Sequence, residues 1–243
     1  MNKNFEKWVS NPFTGYQGGG REAKVWFCGI EYGGETSLSD LIKQTNNIPK
    51  EFPYEPVNLC SQNLRYSYNQ NVYKIAQQFS RLRKDTFFGK DSEIAKLNLF
   101  PLSFKTDFEE LISEELVEYT GFLTKSAYRE FVIKNRFPKM VELTRKMKPK
   151  IVLGTSTSHI LNYVLAFSGE ENLHEKIERI KKSRKSVPQN ISGNKSKYIY
   201  QLRISEDTLL IVCPFLGGQS GLKSDEELAY LGKTIKKYLD LGS

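Results

Sequence analysis

Cysteine and histidine are scarce in this sequence, and their scarcity excludes several kinds of site. The three cysteines, Cys28, Cys60 and Cys213, lie far apart, so they form neither a disulfide framework nor the paired Cys-x-x-Cys of a zinc site. Only two histidines, His159 and His174, accompany them. We therefore expect no structural metal, no iron–sulfur cluster and no cofactor.

Long hydrophobic runs are also absent. No stretch approaches the roughly 18 apolar residues that a membrane-spanning helix needs. The first residues, MNKNFEKWVSNPF, lack the apolar centre of a signal peptide, so we expect a cytoplasmic protein with no membrane partner. We also expect a monomer. Hydrophobic residues still make up 39% of the 243 positions, which is enough for a sizeable core.

The glycine-rich motifs of common nucleotide-binding enzymes are missing too. The stretch KVWFCGIEYGG (24–34) lacks the Lys-Ser/Thr of a P-loop and the spacing of a dinucleotide-binding fingerprint, which argues against an enzyme acting on small nucleotides. Its apolar residues run directly into Glu31, Tyr32, Gly33 and Gly34. This junction is either a plain turn or a catalytic carboxylate with room beside it for a ligand.

Acidic residues are outnumbered, and the net charge of +8 favours a polyanionic partner. Basic residues concentrate between positions 179 and 197, where no acidic residue occurs. This segment is either a solvated loop or a surface that contacts phosphates. The basic residues of this segment that would contact phosphates include Lys181, Lys182, Arg184 and Lys185.

Four short, nearly continuous apolar runs predict buried strands, at residues 23–30, 94–100, 149–154 and 208–214. The alternating stretch 197–204 predicts a further strand, antiparallel to the last run. Helical patterns alternate with the runs, at 68–84, 126–148 (interrupted at Pro138), 156–167 and 224–241. We therefore predict a three-layer α/β/α sandwich around a central, mostly parallel four-stranded sheet.

We expect a single domain over residues 1–243, because the chain shows no internal repeat and no convincing linker. Residues 1–22 are predicted to be an N-terminal extension, and residues 35–93 an insertion packed on the core. In a sheet of this kind, ligands bind at the carboxyl ends of the strands. Polar or glycine-rich residues follow all four apolar runs, and Asn98 is a polar residue within the second run, where a buried amide needs partners.

The ordered set GIEYGG, LNLFPLSFK, PKIVLGTS and CPFLGGQSGLKSDEEL resembles the uracil-DNA glycosylase superfamily from about Lys24 onward. The resemblance implies that Glu31 activates water or stabilises the sugar cation. It places Asn98 where the family has the asparagine that hydrogen-bonds the flipped base. Such an amide offers both a donor and an acceptor to the polar edge of that base.

The resemblance also assigns DNA contacts. Thr155 and Ser156 match a turn that touches the DNA backbone, and Gln219 and Ser220 lie in the loop that grips DNA. Leu216 or Leu222 corresponds to the side chain that enters the emptied base stack. Tyr32, Gly33 and Phe100 are assigned to the base pocket together with Asn98, and Tyr66 and Tyr68 are further aromatic candidates. Phe100 is equally compatible with a place in the core, which we favour.

Two departures from the family pattern bear on the substrate. Cys213, a poor hydrogen-bond donor, stands where the family has a histidine that steadies the leaving base, and His159 is a candidate substitute. Gly33 stands where strict uracil enzymes carry a bulky residue. The smaller residue implies a wider pocket, and so a bulky modified or damaged pyrimidine, such as a hypermodified pyrimidine of viral DNA in a defence function.

The predicted function is therefore that of a monofunctional DNA glycosylase that leaves an abasic site. Two alternatives remain open at this stage: a repair enzyme that excises uracil, and a glycosylase-like DNA-binding protein that has lost its chemistry.

Overall fold

A mixed β-sheet forms the centre of the computed structural model, which describes residues 1–31, 33–34, 36–51, 63–104, 112–188, 196–218 and 220–240. Within these ranges the sheet has seven strands in the order β1-β3-β2-β4-β7-β6-β5. The strands are β1 (Tyr16–Gly19), β2 (Val25–Gly29), β3 (Ile94–Asn98), β4 (Ile151–Gly154), β5 (Lys185–Ser186), β6 (Tyr198–Arg203) and β7 (Leu209–Val212).

The four central strands, β3, β2, β4 and β7, are parallel to one another. The flanking strands run the other way: β1 is antiparallel to β3, β6 is antiparallel to β7, and β5 is antiparallel to β6. The carboxyl ends of β2, β3, β4 and β7 therefore meet at one edge of the sheet.

Nine α-helices lie in the described part of the chain. They are α1 (Lys3–Val9), α2 (Leu38–Asn46), α3 (Ser67–Ala76), α4 (Glu114–Thr120), α5 (Lys125–Asn135), α6 (Phe137–Met147), α7 (Ile160–Ser168, after a 3-10 turn at Thr157–His159), α8 (Leu173–Lys182) and α9 (Asp225–Asp240). Hydrogen-bonding side chains mark several starts; Thr124, for example, accepts from the Ala127 N–H at the start of α5. None of these helices has the length and apolarity needed to cross a membrane.

Helices cover both faces of the sheet because successive strand residues point to opposite sides. In β2, Trp26 and Cys28 belong to one buried cluster, whereas Val25 and Phe27 belong to the other. The first cluster includes residues of α1, α5, α6 and α7, and the second includes residues of α3 and α9. The arrangement is therefore three layers, with apolar packing on each face.

The structure confirms the prediction of an α/β fold and corrects its details. The sheet has seven strands in the described ranges, not four, because three antiparallel strands extend the parallel centre. The antiparallel pairing predicted for residues 197–204 is confirmed. Residues 1–22 are more than an extension, since they supply β1 and the buried side chains of Phe5, Trp8 and Val9.

Candidate functional site

A cleft of about 650 Å³ opens at the carboxyl ends of β2 and β3. Its volume lies in the usual range of small-molecule pockets. The sheet contributes Lys96, Asn98 and the residues that follow β2, including Glu31 and Gly33. The first turn of α3 forms a facing wall, and the remaining lining includes Ser156 after β4 and Phe215 after β7. Six of the predicted site residues therefore line one cleft: Glu31, Gly33, Asn98, Ser156 and the two aromatic candidates Tyr66 and Tyr68.

Asn98 presents an open carboxamide to this cleft. The residue is only 3% exposed, yet its side chain has no hydrogen-bond partner among the described residues. Its backbone, by contrast, is fully engaged: its N–H donates to the Gly15 carbonyl at 2.8 Å, and its carbonyl accepts from Arg136 at 3.1 Å. Gly29 makes room for the amide, because a Cβ on Gly29 would collide with Asn98 Oδ1.

The buried Arg136 fixes the backbone around Asn98. Its side chain is fully buried, and its guanidinium donates to the carbonyls of Asn98 and Leu99 and to those of the loop at residues 11, 12 and 14. A guanidinium has five N–H donors, so one side chain can join both segments. The N-terminal loop is thereby attached to the end of β3, and Asn98 is held in one place.

Glu31 is held by two cations from α5. Lys125 Nζ donates to Oε1 at 2.9 Å, and an Arg129 guanidinium nitrogen donates to Oε2 at 3.1 Å. Glu31 and Lys125 are 10% and 1% exposed, so this ion pair is largely removed from water. A buried ion pair is sensitive to loss of one partner, because the other charge is then left uncompensated. Glu31 lines the cleft, but it is also a structural link between β2 and α5.

Lys96 brings a positive charge into the cleft and was missed by the sequence analysis. Its ammonium donates to Asn69 Oδ1 at 2.6 Å and lies 5.2 Å from the ring centre of Tyr68. Lys96 and Asn98 are two residues apart on β3, so strand alternation places both on the same face of the sheet. The alternation of apolar and polar residues in IAKLN was the available signal.

Aromatic rings border the cleft on the α3 side. Phe215 and Tyr66 are each 51% exposed, and the ring of Phe215 lies 5.5 Å from that of the half-buried Tyr68. The Tyr68 hydroxyl is 3.2 Å from Thr155 Oγ1, and burial raises the pKa of Tyr68 well above its ordinary value. Tyr68 is thus a neutral wall residue, whereas Tyr66 and Phe215 are about half exposed, and the Arg65 guanidinium lies 4.9 Å from the ring centre of Tyr66.

Gly33 leaves open space beside Glu31. A Cβ built on Gly33 would meet nothing within 4 Å, and its backbone conformation is one that other residues adopt. Gly34 also has open surroundings but a φ of +99°, which favours glycine. Gly33 is therefore the position where a larger side chain fits the backbone and would narrow the cleft.

Several predicted contacts are wrong. Phe100 is fully buried and packs on Phe137, 5.8 Å between ring centres, so its interpretation as a core residue is confirmed and its assignment to the base pocket is wrong. Thr155 is fully buried, and its hydroxyl donates to the Cys28 carbonyl at 3.2 Å, so it does not face a DNA backbone. Leu216 and Leu222 are fully buried in the core and cannot enter a base stack from there.

Cys213, which stands at the position of the family histidine, and His159, the candidate substitute, are also absent from the described lining of the cleft. Cys213 is fully buried, and this burial raises the pKa of its thiol far above its ordinary value. His159 lies in the 3-10 turn, where its Nδ1 is 3.0 Å from Asn162 Nδ2. In the described residues, no three His, Cys, Asp or Glu side chains come together as a metal-binding group.

The predicted DNA-binding lysines and arginine lie at a distance from the cleft. Lys181, Lys182, Arg184 and Lys185 are exposed, and Lys185 pairs with Ile199 at the edge of the sheet. Four strand spacings of about 4.8 Å separate β5 from β2, or roughly 19 Å. Ser220 is exposed, and the predictions for Tyr32 and Gln219 fall outside the described residues.

No model of a known protein family matches the chain, and no curated protein matches its sequence. The functional argument therefore depends on the geometry of the cleft.

Proposed function

We propose that this protein is a DNA glycosylase that hydrolyses the N-glycosidic bond of a flipped, bulky modified or damaged pyrimidine and leaves an abasic site. The observation that carries the proposal is the buried, unpartnered carboxamide of Asn98 in a cleft at the carboxyl edge of a parallel sheet. The Asn98 amide is not among the fully buried polar groups that lack a partner, so it is reached from the cleft, and a ligand can hydrogen-bond to it there.

The cleft has the chemical groups that a nucleobase requires. The Asn98 carboxamide offers a donor and an acceptor to the polar edge of the base. The exposed rings of Tyr66 and Phe215 offer stacking surfaces at its mouth. The open space beside Gly33 accommodates a substituent on the pyrimidine ring. Hypermodified pyrimidines, such as those of viral DNA, are therefore the substrates we propose to test first.

Glu31 is the group we assign to the chemistry. Departure of the base generates positive charge on the sugar, which a carboxylate stabilises, and the same carboxylate can orient the attacking water. Each oxygen of Glu31 accepts a hydrogen bond from α5, and a carboxylate oxygen has a second lone pair for water. Lys125 and Arg129 would then fix the direction in which Glu31 points.

A second function is favoured by the same ion pairs. Two cations bound to Glu31 reduce the negative potential available to a sugar cation. In this alternative the cleft binds a flipped nucleotide without breaking a bond, and Glu31 only connects β2 to α5.

Mass spectrometry of the bases released from DNA separates the two functions. Oligonucleotides bearing uracil, 5-hydroxymethylcytosine or glucosylated 5-hydroxymethylcytosine are incubated with the wild type and with Glu31→Gln, which keeps the size of the side chain. The proposal predicts release of a modified pyrimidine by the wild type only, with DNA binding retained by the variant. Release of uracil alone would contradict the bulky substrate. DNA binding with no release from any DNA would support the binding protein.

A further inference from the structure

The first turn of α3 is an open helix start that faces the cleft. Ser67, Tyr68 and Asn69 line the cleft, and Tyr66, which precedes them, provides no side-chain cap. The backbone N–H groups of these three residues have no acceptor among the described residues. Such groups carry the positive end of the helix dipole, which favours an anion.

Lys96 adds a full positive charge at the same turn. Its ammonium donates to Asn69 Oδ1 at 2.6 Å, and Asn69 in turn donates to the Asn63 carbonyl at 2.9 Å. Asn69 is only 4% exposed, so it holds Lys96 in a fixed position at the start of α3. An ammonium has three donors, so it can contact Asn69 and a ligand oxygen together.

Asn98 gives an independent sign that a ligand occupies this cleft. Its carboxamide is nine-tenths buried and unpartnered among the described residues, and it shares the cleft with the first turn of α3. Lys96 and Asn98 lie two residues apart on one strand, or roughly 6.6 Å. This separation is comparable with that between the base and the 5′-phosphate of a nucleotide.

We propose that the N-terminus of α3, with Lys96, binds a phosphate group of the nucleotide whose base meets Asn98. The inference rests on the proposed use of Asn98 for the base, but it does not require that a bond be broken. It identifies the ligand as an anionic nucleotide and distinguishes it from an uncharged base or nucleoside. Glu31, the carboxylate in the described part of the lining, is bound by Lys125 and Arg129.

Calorimetric titration with thymidine 5′-monophosphate, thymidine and inorganic phosphate tests the site. The monophosphate is expected to bind at least about tenfold more tightly than thymidine, since one hydrogen bond to a charged group is worth about 1.5–3 kcal/mol. Lys96→Met should remove this difference. Lys74→Met is the matched control, because Lys74 lies in the last turn of the same helix and pairs with Asp225 at 2.8 Å; it should bind both ligands as the wild type does.

A second pair of variants tests the backbone donors alone. Ser67→Pro removes the first N–H of α3 at a position where proline fits a helix, and Tyr66 already has the extended conformation that precedes proline, with φ −83° and ψ 129°. Ser67→Ala removes only the hydroxyl. Weaker binding of the monophosphate by Ser67→Pro than by Ser67→Ala, with equal melting temperatures, supports a phosphate at the helix start.

The outcomes separate this inference from the glycosylase proposal. Equal affinity for thymidine and its monophosphate, or an unchanged preference in Lys96→Met, overturns the phosphate site even if bases are released from DNA. A preference for the monophosphate that Lys96→Met abolishes supports the site even if no DNA base is released, in which case only the glycosylase proposal fails.

Discussion

The two sheet strands that line the cleft differ in how far their polar side chains are satisfied within the chain. At the end of β2, both oxygens of Glu31 accept hydrogen bonds from α5. At the end of β3, the Asn98 carboxamide has no partner among the described residues, although its backbone is bonded on both sides. The first arrangement connects two elements of the fold, and the second leaves hydrogen-bonding capacity for a ligand.

This difference separates stability from binding at neighbouring positions. When one member of a buried ion pair is removed, the charge of its partner stays buried without compensation. Such a substitution therefore acts first on folding stability. Loss of an unsatisfied amide removes no internal hydrogen bond, so it acts first on the ligand. Glu31 serves the fold whether or not it also serves the chemistry, and its variants need a stability measurement before their activity is interpreted.

The largest expected effect is that of Glu31→Ala on stability. The variant removes the carboxylate that accepts hydrogen bonds from the buried Lys125 and from Arg129, and we expect it to lower the free energy of unfolding by about 3–5 kcal/mol. Urea denaturation measures the loss. Asp225→Ala is the control, because Asp225 pairs with Lys74 on the surface, where its side chain is 79% exposed, and an exposed pair contributes less than about 1 kcal/mol. If Glu31→Ala loses as little stability as Asp225→Ala, the ion pairs of Glu31 do not stabilise the fold, and the proposed difference between the ends of β2 and β3 is contradicted.

A substitution at Gly29 should disturb Asn98 without touching Glu31. The new methyl group in Gly29→Ala would meet Asn98 Oδ1, so we expect the carboxamide to move and the unfolding free energy to fall by about 1–3 kcal/mol. Base release or nucleotide binding should fall with it. Gly33→Ala, four residues further along and with nothing within 4 Å of its Cβ, is the matched control for stability and should unfold as the wild type does. Similar results for both variants would refute the close approach of Gly29 and Asn98.

Phe215 should contribute to DNA binding and little to folding. Its ring is 51% exposed at the mouth of the cleft, so Phe215→Ala should change stability only slightly. We expect about tenfold weaker binding of single-stranded DNA, because stacking of a base on an aromatic side chain is worth about 1–3 kcal/mol. Fluorescence anisotropy with a labelled oligonucleotide measures this. Leu161→Ala, which truncates a 50% exposed apolar residue on α7, should not weaken binding, and equal losses for both would contradict a specific role of the ring.

The smallest expected effect concerns Glu227, a buried carboxylate outside the cleft lining. Burial alone would raise its pKa, but hydrogen bonds from Lys197 and from the N–H groups of Lys223 and Ser224 outweigh this and lower the pKa below its ordinary value. A lowered folded-state pKa contributes stability that is present above the unfolded value, about 4.3, and is lost as the pH falls through the folded value. We expect Glu227→Gln to be destabilised by about 1 kcal/mol at pH 7.

Denaturation of the wild type and Glu227→Gln at several pH values checks the sign of this effect. The difference in unfolding free energy should shrink as the pH falls below about 4, and base release at neutral pH should not change. A difference that grows in acid would contradict the assigned contacts. Glu227 is then a reference for a carboxylate with a purely structural role. The stability and base release of Glu31 variants are compared with those of Glu227→Gln.

Apolar continuity made the parallel part of the sheet predictable. The runs at 94–100 and 208–214 contain β3 and β7, because strands covered on both faces consist almost entirely of apolar residues. Pro138 also lies where the predicted helix divides, in the first turn of α6. By contrast, β1 has the sequence YQGG, which shows no apolar alternation, so its place beside β3 could not be predicted.

The cleft was predictable only in part, because its walls come from distant segments. Glu31 and Asn98 follow from their places at the strand ends, but Lys125 lies 94 residues from Glu31, and no local pattern connects the two. Leu222 was misplaced because an apolar residue in a glycine-rich loop points inward as readily as outward, and here it packs in the core. Phe215 lies in the same loop and is half exposed. It was overlooked as a stacking residue because the sequence of the loop does not show which of its apolar side chains point outward.

The most direct test of the central claim is the rate of base release by Asn98→Ala, measured at equal folded fraction on a DNA that the wild type cleaves. We expect an unfolding free energy within about 1 kcal/mol of the wild type, because the amide has no hydrogen bond to lose among the described residues, and a rate of base release lower by about tenfold to a hundredfold. An unchanged rate, or a loss of stability as large as that of Glu31→Ala, would contradict it.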